Sequence, residues 1–215
     1  MDRARQLSAD SVASGDPTSW FERLYAEGEA GVAVVPWVQG VPNESLIEWA
    51  AGRPGDGRRA LVVGCGTGED AEFLASLGYA VTGFDIAPTG IAAARRRHPG
   101  SAVDYQVADL TALPSPWSGA FDLVAEIYTV QPLYGAVRAK ALAALHEPVA
   151  PGGTLLVISW ATQEDDPVRD PAQMPWPLTR TELDLARGPL RERRVEHFMG
   201  NSPPLPRWRA EFGRD

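Results

Sequence analysis

The chain has 215 residues, 22% of them charged, with 28 acidic residues against 20 basic ones and a formal net charge of −8. That length predicts one domain with an extension, and the acidic balance excludes the basic face that a nucleic acid or an anionic membrane surface would demand. Cys65 is the sole cysteine and the three histidines (His98, His146 and His197) are scattered, so no intrachain disulfide and no metal-ligand spacing is present.

Taken from the N-terminus, Met1 to Asp10 holds no apolar stretch of the kind that makes a signal peptide. No apolar run approaches the ~20 residues that span a bilayer, so the expectation is a cytoplasmic protein with no membrane partner. Trp20–Glu27 predicts one helix and Asn43–Ala51 another, with Asn43 as N-cap. Between them, the stretch from Gly28 to Pro42 carries Pro36, Trp37 and Gly40 and should be irregular. Ala60–Val63 is wholly apolar and ends in glycines, as a strand buried on both faces does. Glu69–Leu77 predicts a helix with acidic residues in its first turn and Gly78 as its stop. Val81–Asp85 is the next strand, and Pro88 opens a helix that ends in Arg95, Arg96 and Arg97.

Val103–Val107, Phe121–Glu126 and Thr154–Ser159 complete the alternating pattern, with a helix from about Val137 to Leu145. Residues 161–178 are rich in Asp and Pro and predict a loop, followed by a helix over Thr179–Arg187. Val195–Met199 and Trp208–Phe212, joined by the Pro-rich stretch Asn201–Pro206, predict a final antiparallel hairpin at the sheet edge. The fold class expected is therefore α/β: a Rossmann-like, doubly wound, mostly parallel seven-stranded sheet with an antiparallel C-terminal hairpin and a short N-terminal helical cap. The cap is expected over residues 1–52 and the sheet domain over residues 53–215.

The chemistry centres on Gly64-Cys65-Gly66-Thr67-Gly68, which follows the first long strand and opens a helix. Glycines there permit a sharp turn and close ligand approach, and the helix start offers free N–H groups; a plain strand-to-helix turn is the alternative. Asp85 closes the second strand, 17 residues past Gly68, where a carboxylate can accept hydrogen bonds from ribose hydroxyls. The NAD fingerprint is G-x-G-x-x-G/A, whereas the spacing here is G-x-G-x-G with Glu69 next, a charge that would repel a pyrophosphate. S-adenosylmethionine has no phosphate, and its sulfonium favours an acidic site. Asp109 after the third strand can meet an adenine amino group, and Glu126 ends the fourth; these carboxylates could equally cap the loops that follow them.

Residues 60–160 resemble the class I S-adenosylmethionine-dependent methyltransferases, through ALVVGCGTG (60–68), VTGFD (81–85), VADL (107–110), FDLV (121–124) and APGGTLLVIS (150–159). The N-terminal segment is similar to the thiopurine, halide and thiol methyltransferase branch, through Phe21-x-x-x-Tyr25-x-x-Gly28, then Pro36-Trp37-Val38-Gln39-Gly40, then Leu46-Ile47. The resemblance implies a cofactor site of Gly64, Cys65, Gly66, Gly68, Asp85, Ile86, Ala108, Asp109, Leu110, Glu126 and Ile127, closed over by Phe21, Tyr25 and Trp37, with Trp20 beside them. Val62 stands where most class I members carry an acid two residues before the first glycine, and Val38 where the branch carries Asp.

Methyl transfer from a sulfonium is an in-line displacement that needs alignment and exclusion of water more than an activated nucleophile. Where the acceptor is an alcohol, a base is wanted, and Glu126, Tyr128 and His197 are the groups on offer. Tyr128, Thr129 and Gln131 should border the acceptor pocket, and Trp160 and Trp176 flank the loop that could cover it. The expected function is transfer of a methyl group to an O, S or similar heteroatom of a small molecule, leaving S-adenosylhomocysteine, by a monomer or homodimer. The alternatives are a nicotinamide-dependent oxidoreductase and a non-catalytic cofactor-binding protein.

Overall fold

The computed structural model describes residues 1–164, 167, 169–201 and 203–215. Among these residues, seven strands form one sheet: β1 (Arg59–Val63), β2 (Ala80–Asp85), β3 (Asp104–Val107), β4 (Phe121–Ile127), β5 (Val149–Trp160), β6 (Arg191–Met199) and β7 (Pro206–Gly213). Their order across the sheet is β3-β2-β1-β4-β5-β7-β6. The pairings among β1 to β5 are parallel, while β7 pairs antiparallel with both β5 and β6. The C-terminal hairpin therefore folds back so that β7 is inserted beside β5 and β6 becomes the edge.

Among the described residues, seven α-helices accompany the sheet: α1 (Asp2–Ala13), α2 (Trp20–Glu29), α3 (Glu44–Ala50), α4 (Glu69–Ser76), α5 (Pro88–Arg97), α6 (Gly135–Ala144) and α7 (Arg180–Arg187). The strands of the middle are apolar on both faces because helices cover both. Leu61 and Val63 of β1, with Leu155 and Val157 of β5, join one buried cluster under α6 and α7. Ala60, Val62, Leu156 and Ile158 join the other, under α3, α4 and α5. At ~25 cal/mol per Å² of apolar area removed from water, this two-sided burial is the main stabilising term.

Local signals end the helices as expected. Asn43 caps α3 by accepting from the backbone N–H of Ser45 and Leu46 at 2.9 and 3.4 Å. Thr179 and Glu182 form a reciprocal capping box at the start of α7. Gly78, at φ +90°, stops α4.

Some expectations need correcting. Helix α1 was not foreseen; its buried positions are Ala4, Leu7, Ser8 and Ser11, too small and polar to make an apolar stripe. β5 starts five residues ahead of Thr154, taking in Val149-Ala150-Pro151-Gly152-Gly153, and β6 starts at Arg191 because a charged run suits an exposed edge. Leu46, Trp49 and Ala50 of α3 belong to the sheet's own core, whereas Ala4 and Leu7 of α1 and Trp20 and Leu24 of α2 form a third cluster with Met174 and Trp176. The cap is thus closed by the stretch after β5. That stretch holds one short 3-10 turn at Pro171–Gln173; positions 165, 166 and 168 of the expected loop, and 202 of the Pro-rich stretch, lie outside the described residues.

Candidate cofactor and acceptor cleft

A cleft of about 420 Å³ opens at the carboxyl edge of the sheet, where open α/β sheets bind ligands. Its floor comes from the loops after β1, β2, β3 and β4, and its roof from α2, the stretch after it, and residues 174–175. The structure brings Phe21, Tyr25, Trp37, Gly64, Cys65, Gly66, Asp85, Ile86, Ala108, Asp109, Leu110 and Ile127 to this cleft.

The three loop glycines have three different reasons to be glycine. Gly64, at φ +59°, faces the side chain of Thr129, which a Cβ would strike. Thr129 is fixed there because its hydroxyl donates to the Val63 carbonyl at 2.8 Å. Gly68, at φ +99°, faces Tyr105, whose hydroxyl donates to Glu72 at 2.7 Å. Only Gly66 has its missing side chain aimed at the roof: a Cβ there would lie 2.8 Å from the Tyr25 hydroxyl. Gly66 is therefore the close-approach point, and Gly68, which does not line the cleft, serves packing between α4 and β3.

The Asp85 carboxylate ends β2 and is buried, accepting from the Gly66 N–H at 3.0 Å and the Ala87 N–H at 2.9 Å. Burial pushes its pKa up to about 6, with those two N–H groups pulling the other way. Asp109 caps a 3-10 turn by accepting from the Thr111 N–H at 2.7 Å. Sequence reasoning missed Asp70 on the first turn of α4. It accepts from the Asn43 N–H at 2.7 Å, and burial lifts its pKa to about 6. Neighbouring Glu69 accepts from the Thr67 hydroxyl and from Arg97.

The roof is aromatic. The Trp37 indole N–H donates to the Tyr25 hydroxyl at 2.7 Å, and Trp37 stands edge-on to both Tyr25 and Trp20. Phe21 stacks on Trp20 with ring centroids 4.0 Å apart; Trp20 itself points into the cap core rather than the cleft. Glu22 accepts from the Thr89 N–H at 2.9 Å and from the Thr89 hydroxyl, pinning α2 to the start of α5.

The acceptor side lies over β4 and β5, where Tyr128, Thr129, Gln131, Leu133, Trp160 and Arg207 line the wall. Tyr128 holds φ +58°, a strained setting for a bulky side chain that turns it into the cleft. Burial raises its phenol above the ordinary value. Gln131 is structural in part: its side-chain oxygen accepts from the Trp160 N–H and its carbonyl from the Trp176 N–H. The buried Arg138 guanidinium ties this wall together, donating to the carbonyls of Val130 and Gln131, to those of Trp176 and Pro177, and to Glu182. Trp176 lies behind the wall in the cap core.

Two of the three candidate bases do not reach the cleft. Glu126 is wholly buried beneath it, accepting with one oxygen from the N–H groups of Thr129 and Val130 at 2.7 and 3.0 Å. It shapes the loop that presents Tyr128 and does not line the cleft. Its other oxygen is buried without a hydrogen-bond partner, and burial lifts its pKa to about 7. His197 is exposed on edge strand β6 and packs against Trp208, with ring centroids 4.7 Å apart. Burial keeps Glu126, and the edge position of β6 keeps His197, out of the cleft.

Whether an adenosine sulfonium fits can be tested on these residues. The helix start that would greet a pyrophosphate is ringed by Glu69, Asp70, Asp85 and Asp109. Carboxylates there repel phosphate and attract an ammonium or sulfonium. The Tyr25 hydroxyl fills the space a side chain at position 66 would need, so the roof closes directly onto the loop backbone. The donor set suits a cationic adenosine ligand and is ill suited to NAD.

Residues 61–157 match a family model described as a methyltransferase domain. Among curated proteins, the chain is 30% identical over 118 residues to a ubiquinone biosynthesis O-methyltransferase of Pseudomonas aeruginosa (strain LESB58), covering 54% of this chain and 50% of that protein. The chain thus spans about half the length of the curated relatives it matches. Among solved structures, one from a study of the conversion of a disulfide bond into a thioacetal group during echinomycin biosynthesis superposes with TM-score 0.71 at 24% identity, covering 91% and 92% of the two chains. The N-methyltransferase NodS of Bradyrhizobium japonicum WM9, in complex with S-adenosylhomocysteine, superposes with TM-score 0.66 at 20% identity over 89% and 98%. These solved structures share the chain's Rossmann-like fold. Among the described residues no helix is long and apolar enough to cross a membrane, and no group of His, Cys, Asp or Glu is placed to hold a metal.

Proposed function

We propose that this chain is an S-adenosylmethionine-dependent methyltransferase acting on a small molecule. The observation that carries the reading is the pairing of Gly66 with Tyr25 above it and the buried Asp85 carboxylate beside it, inside one cleft that extends to a separate wall at Tyr128 and Trp160. That is a two-chamber site, one chamber for an adenosine and one for an acceptor. The methyltransferase model over residues 61–157 supports it.

The cofactor would supply an electrophilic methyl group on its sulfonium. Asp85 would accept from both ribose hydroxyls, each charge-assisted bond being worth ~1.5–3 kcal/mol. Asp109 and the adjoining backbone of Leu110 would face the adenine edge. Tyr25, Trp37 and Phe21 would shut water from the methionine end, their ring faces attracting the sulfonium by ~1–2 kcal/mol once desolvated. Tyr128 would orient the acceptor by donating a hydrogen bond.

The acceptor atom is not inherited from relatives, since one named above is an O-methyltransferase and another an N-methyltransferase. The Phe21, Tyr25, Trp37 and Gly40 pattern supports placement near the thiopurine, halide and thiol branch, with O or S as the acceptor atom, and residues 15–45 acting as a lid that tightens on cofactor binding. Calorimetry with S-adenosylmethionine, S-adenosylhomocysteine and NAD tests the cofactor; binding of NAD, or of none of them, ends the proposal. Turnover of methyl-labelled cofactor across phenols, thiols, carboxylates and halides then tests the acceptor, and binding without turnover of any would favour a non-catalytic role.

A further inference from the structure

We infer that the acceptor chamber selects molecules bearing an anionic oxygen, a carboxylate or one of like charge, and that Arg207 holds it. The inference rests on the methyltransferase reading and names the substrate class of the same cleft. Arg207 is the only Arg, Lys or His among the described residues that line the cleft. It stands near the start of β7, opposite Trp160 of β5 and Phe198 of β6, and only 4% of its surface is exposed. Glu69, Asp70, Asp85 and Asp109 gather instead at the loops after β1, β2 and β3, while the remaining acid of the lining, Glu44 at the start of α3, accepts from Asn201. From β1 to β7 is three strand spacings, about 14 Å along the sheet. The one basic side chain of the described lining thus lies on the side where the acceptor would, away from the four acids at the cofactor loops.

The position of the guanidinium is built. Its Nη2 donates to the Pro203 carbonyl at 3.4 Å, and its Nε and Cζ lie against Gly200, where any Cβ would collide with them. Glycine at 200 therefore makes the room that a buried guanidinium occupies. The charge also reaches Tyr128: its field draws the phenol's pKa down, against the larger upward push of burial. A planar anion set against the Tyr128 and Trp160 rings, which meet edge to face with centroids 6.4 Å apart, would meet both the Arg207 guanidinium and a phenol donor.

The transfer then needs no general base when the anionic oxygen is itself the acceptor. The oxygen's lone pair forms the new O–CH3 bond, the C–S bond breaks, and its electron pair stays on sulfur, so the anion and the sulfonium become a neutral methyl ester or ether and a neutral thioether. No proton moves. The withdrawal of Glu126 and His197 from the cleft agrees with that chemistry.

The test measures binding of benzoate and of its neutral isostere benzamide to the full-length protein saturated with S-adenosylhomocysteine. Benzoate is expected to bind at least about ten-fold more tightly than benzamide, and Arg207→Met to erase that preference while leaving S-adenosylhomocysteine affinity within about two-fold. Gly200→Ala keeps the charge but displaces the guanidinium. It is expected to cut benzoate binding by about ten-fold and benzamide binding little, which decides the matter should Arg207→Met fail to fold. Equal affinity for the two probes, no binding of either, or a preference that survives the substitutions overturns the inference. So does a loss of S-adenosylhomocysteine affinity in Arg207→Met, which would assign the residue to the cofactor's own carboxylate. Failure of the wild-type protein to bind S-adenosylhomocysteine at all is a separate result that ends the methyltransferase reading.

Discussion

The floor and the roof of the cleft are held by different physics. The floor rests on strands buried between two large apolar clusters, so the loops that follow them are anchored by the most stable part of the molecule. The roof rests on a small cluster of Ala4, Leu7, Trp20, Leu24, Met174 and Trp176. It is secured chiefly by side-chain ties: Arg3 to Glu27, Glu22 to Thr89 and Arg96 to Glu29. Exposed ion pairs contribute ~0–1 kcal/mol each, so the roof should open at far lower free energy than the sheet unfolds. A site can then be rigid where it positions the ligand and mobile where it admits it.

The sharpest way to break this comparison is to strike each side alone. Leu156→Ala, at a wholly buried position of β5, should lower global stability by about 3–4 kcal/mol in denaturant unfolding while leaving cofactor affinity of the folded fraction unchanged. Deleting residues 1–40 should do the reverse, leaving a cooperatively folding sheet with weak cofactor binding and no turnover. A truncated protein with full activity would refute the roof's part in binding.

Within the floor, Asp85→Ala should weaken S-adenosylhomocysteine binding by ~2–4 kcal/mol, as two ribose hydroxyls lose a charged acceptor. Because burial puts the carboxyl near pH 6, affinity in the wild type should fall as pH drops through about 6, and the Asp85→Asn protein should lack that part of the fall.

Glu126 sharpens the contrast further, since it belongs to the floor but not to the ligand. Its folded pKa of about 7 lies above the unfolded value of ~4.3, so the folded state binds the proton more tightly between those limits. Stability should therefore decline as pH rises from ~4.3 to ~7, and Glu126→Gln, which needs no ionisation, should be more stable than wild type at pH 8 by about 1–3 kcal/mol. Thermal melts across pH check it; a wild-type curve that rises over that window would be the wrong sign. The smallest effect belongs to the roof. Trp37→Ala should weaken S-adenosylmethionine more than S-adenosylhomocysteine by ~1 kcal/mol, the part due to charge, and equal losses would reduce Trp37 to packing.

Much of the floor was legible in the chain because it is built from local signals: an all-apolar strand at Ala60–Val63, a glycine turn, Asp85 at a strand end, Pro88 and Asn43 at helix starts. What could not be read depends on strands and helices distant in sequence. Glu126 looked like a site carboxylate because it sits near a strand end; the Thr129 and Val130 N–H groups turn it inward. Gly68 looked like part of a ligand loop, yet Tyr105 of another strand dictates it. Arg207 is one of 19 arginines in the chain, and nothing local marks it. It reaches the cleft because β7 slips between β5 and β6. Helix α1 was hidden because its partners, around Met174, lie far along the sequence.

That last separation bears on how the molecule is made. Leu24 and Met174 share one small core but are 150 residues apart. At ~5–20 residues per second on the ribosome, the first helices would wait on the order of ten seconds or more for the segment that covers them. Through that interval Trp20, Phe21 and Leu24 are an unpartnered aromatic stripe, a natural foothold for a chaperone. Helices α1 and α2, made well before the segment that covers them, are thus among the last to settle, and the chamber closes only after the barrier of bringing distant segments together has been crossed.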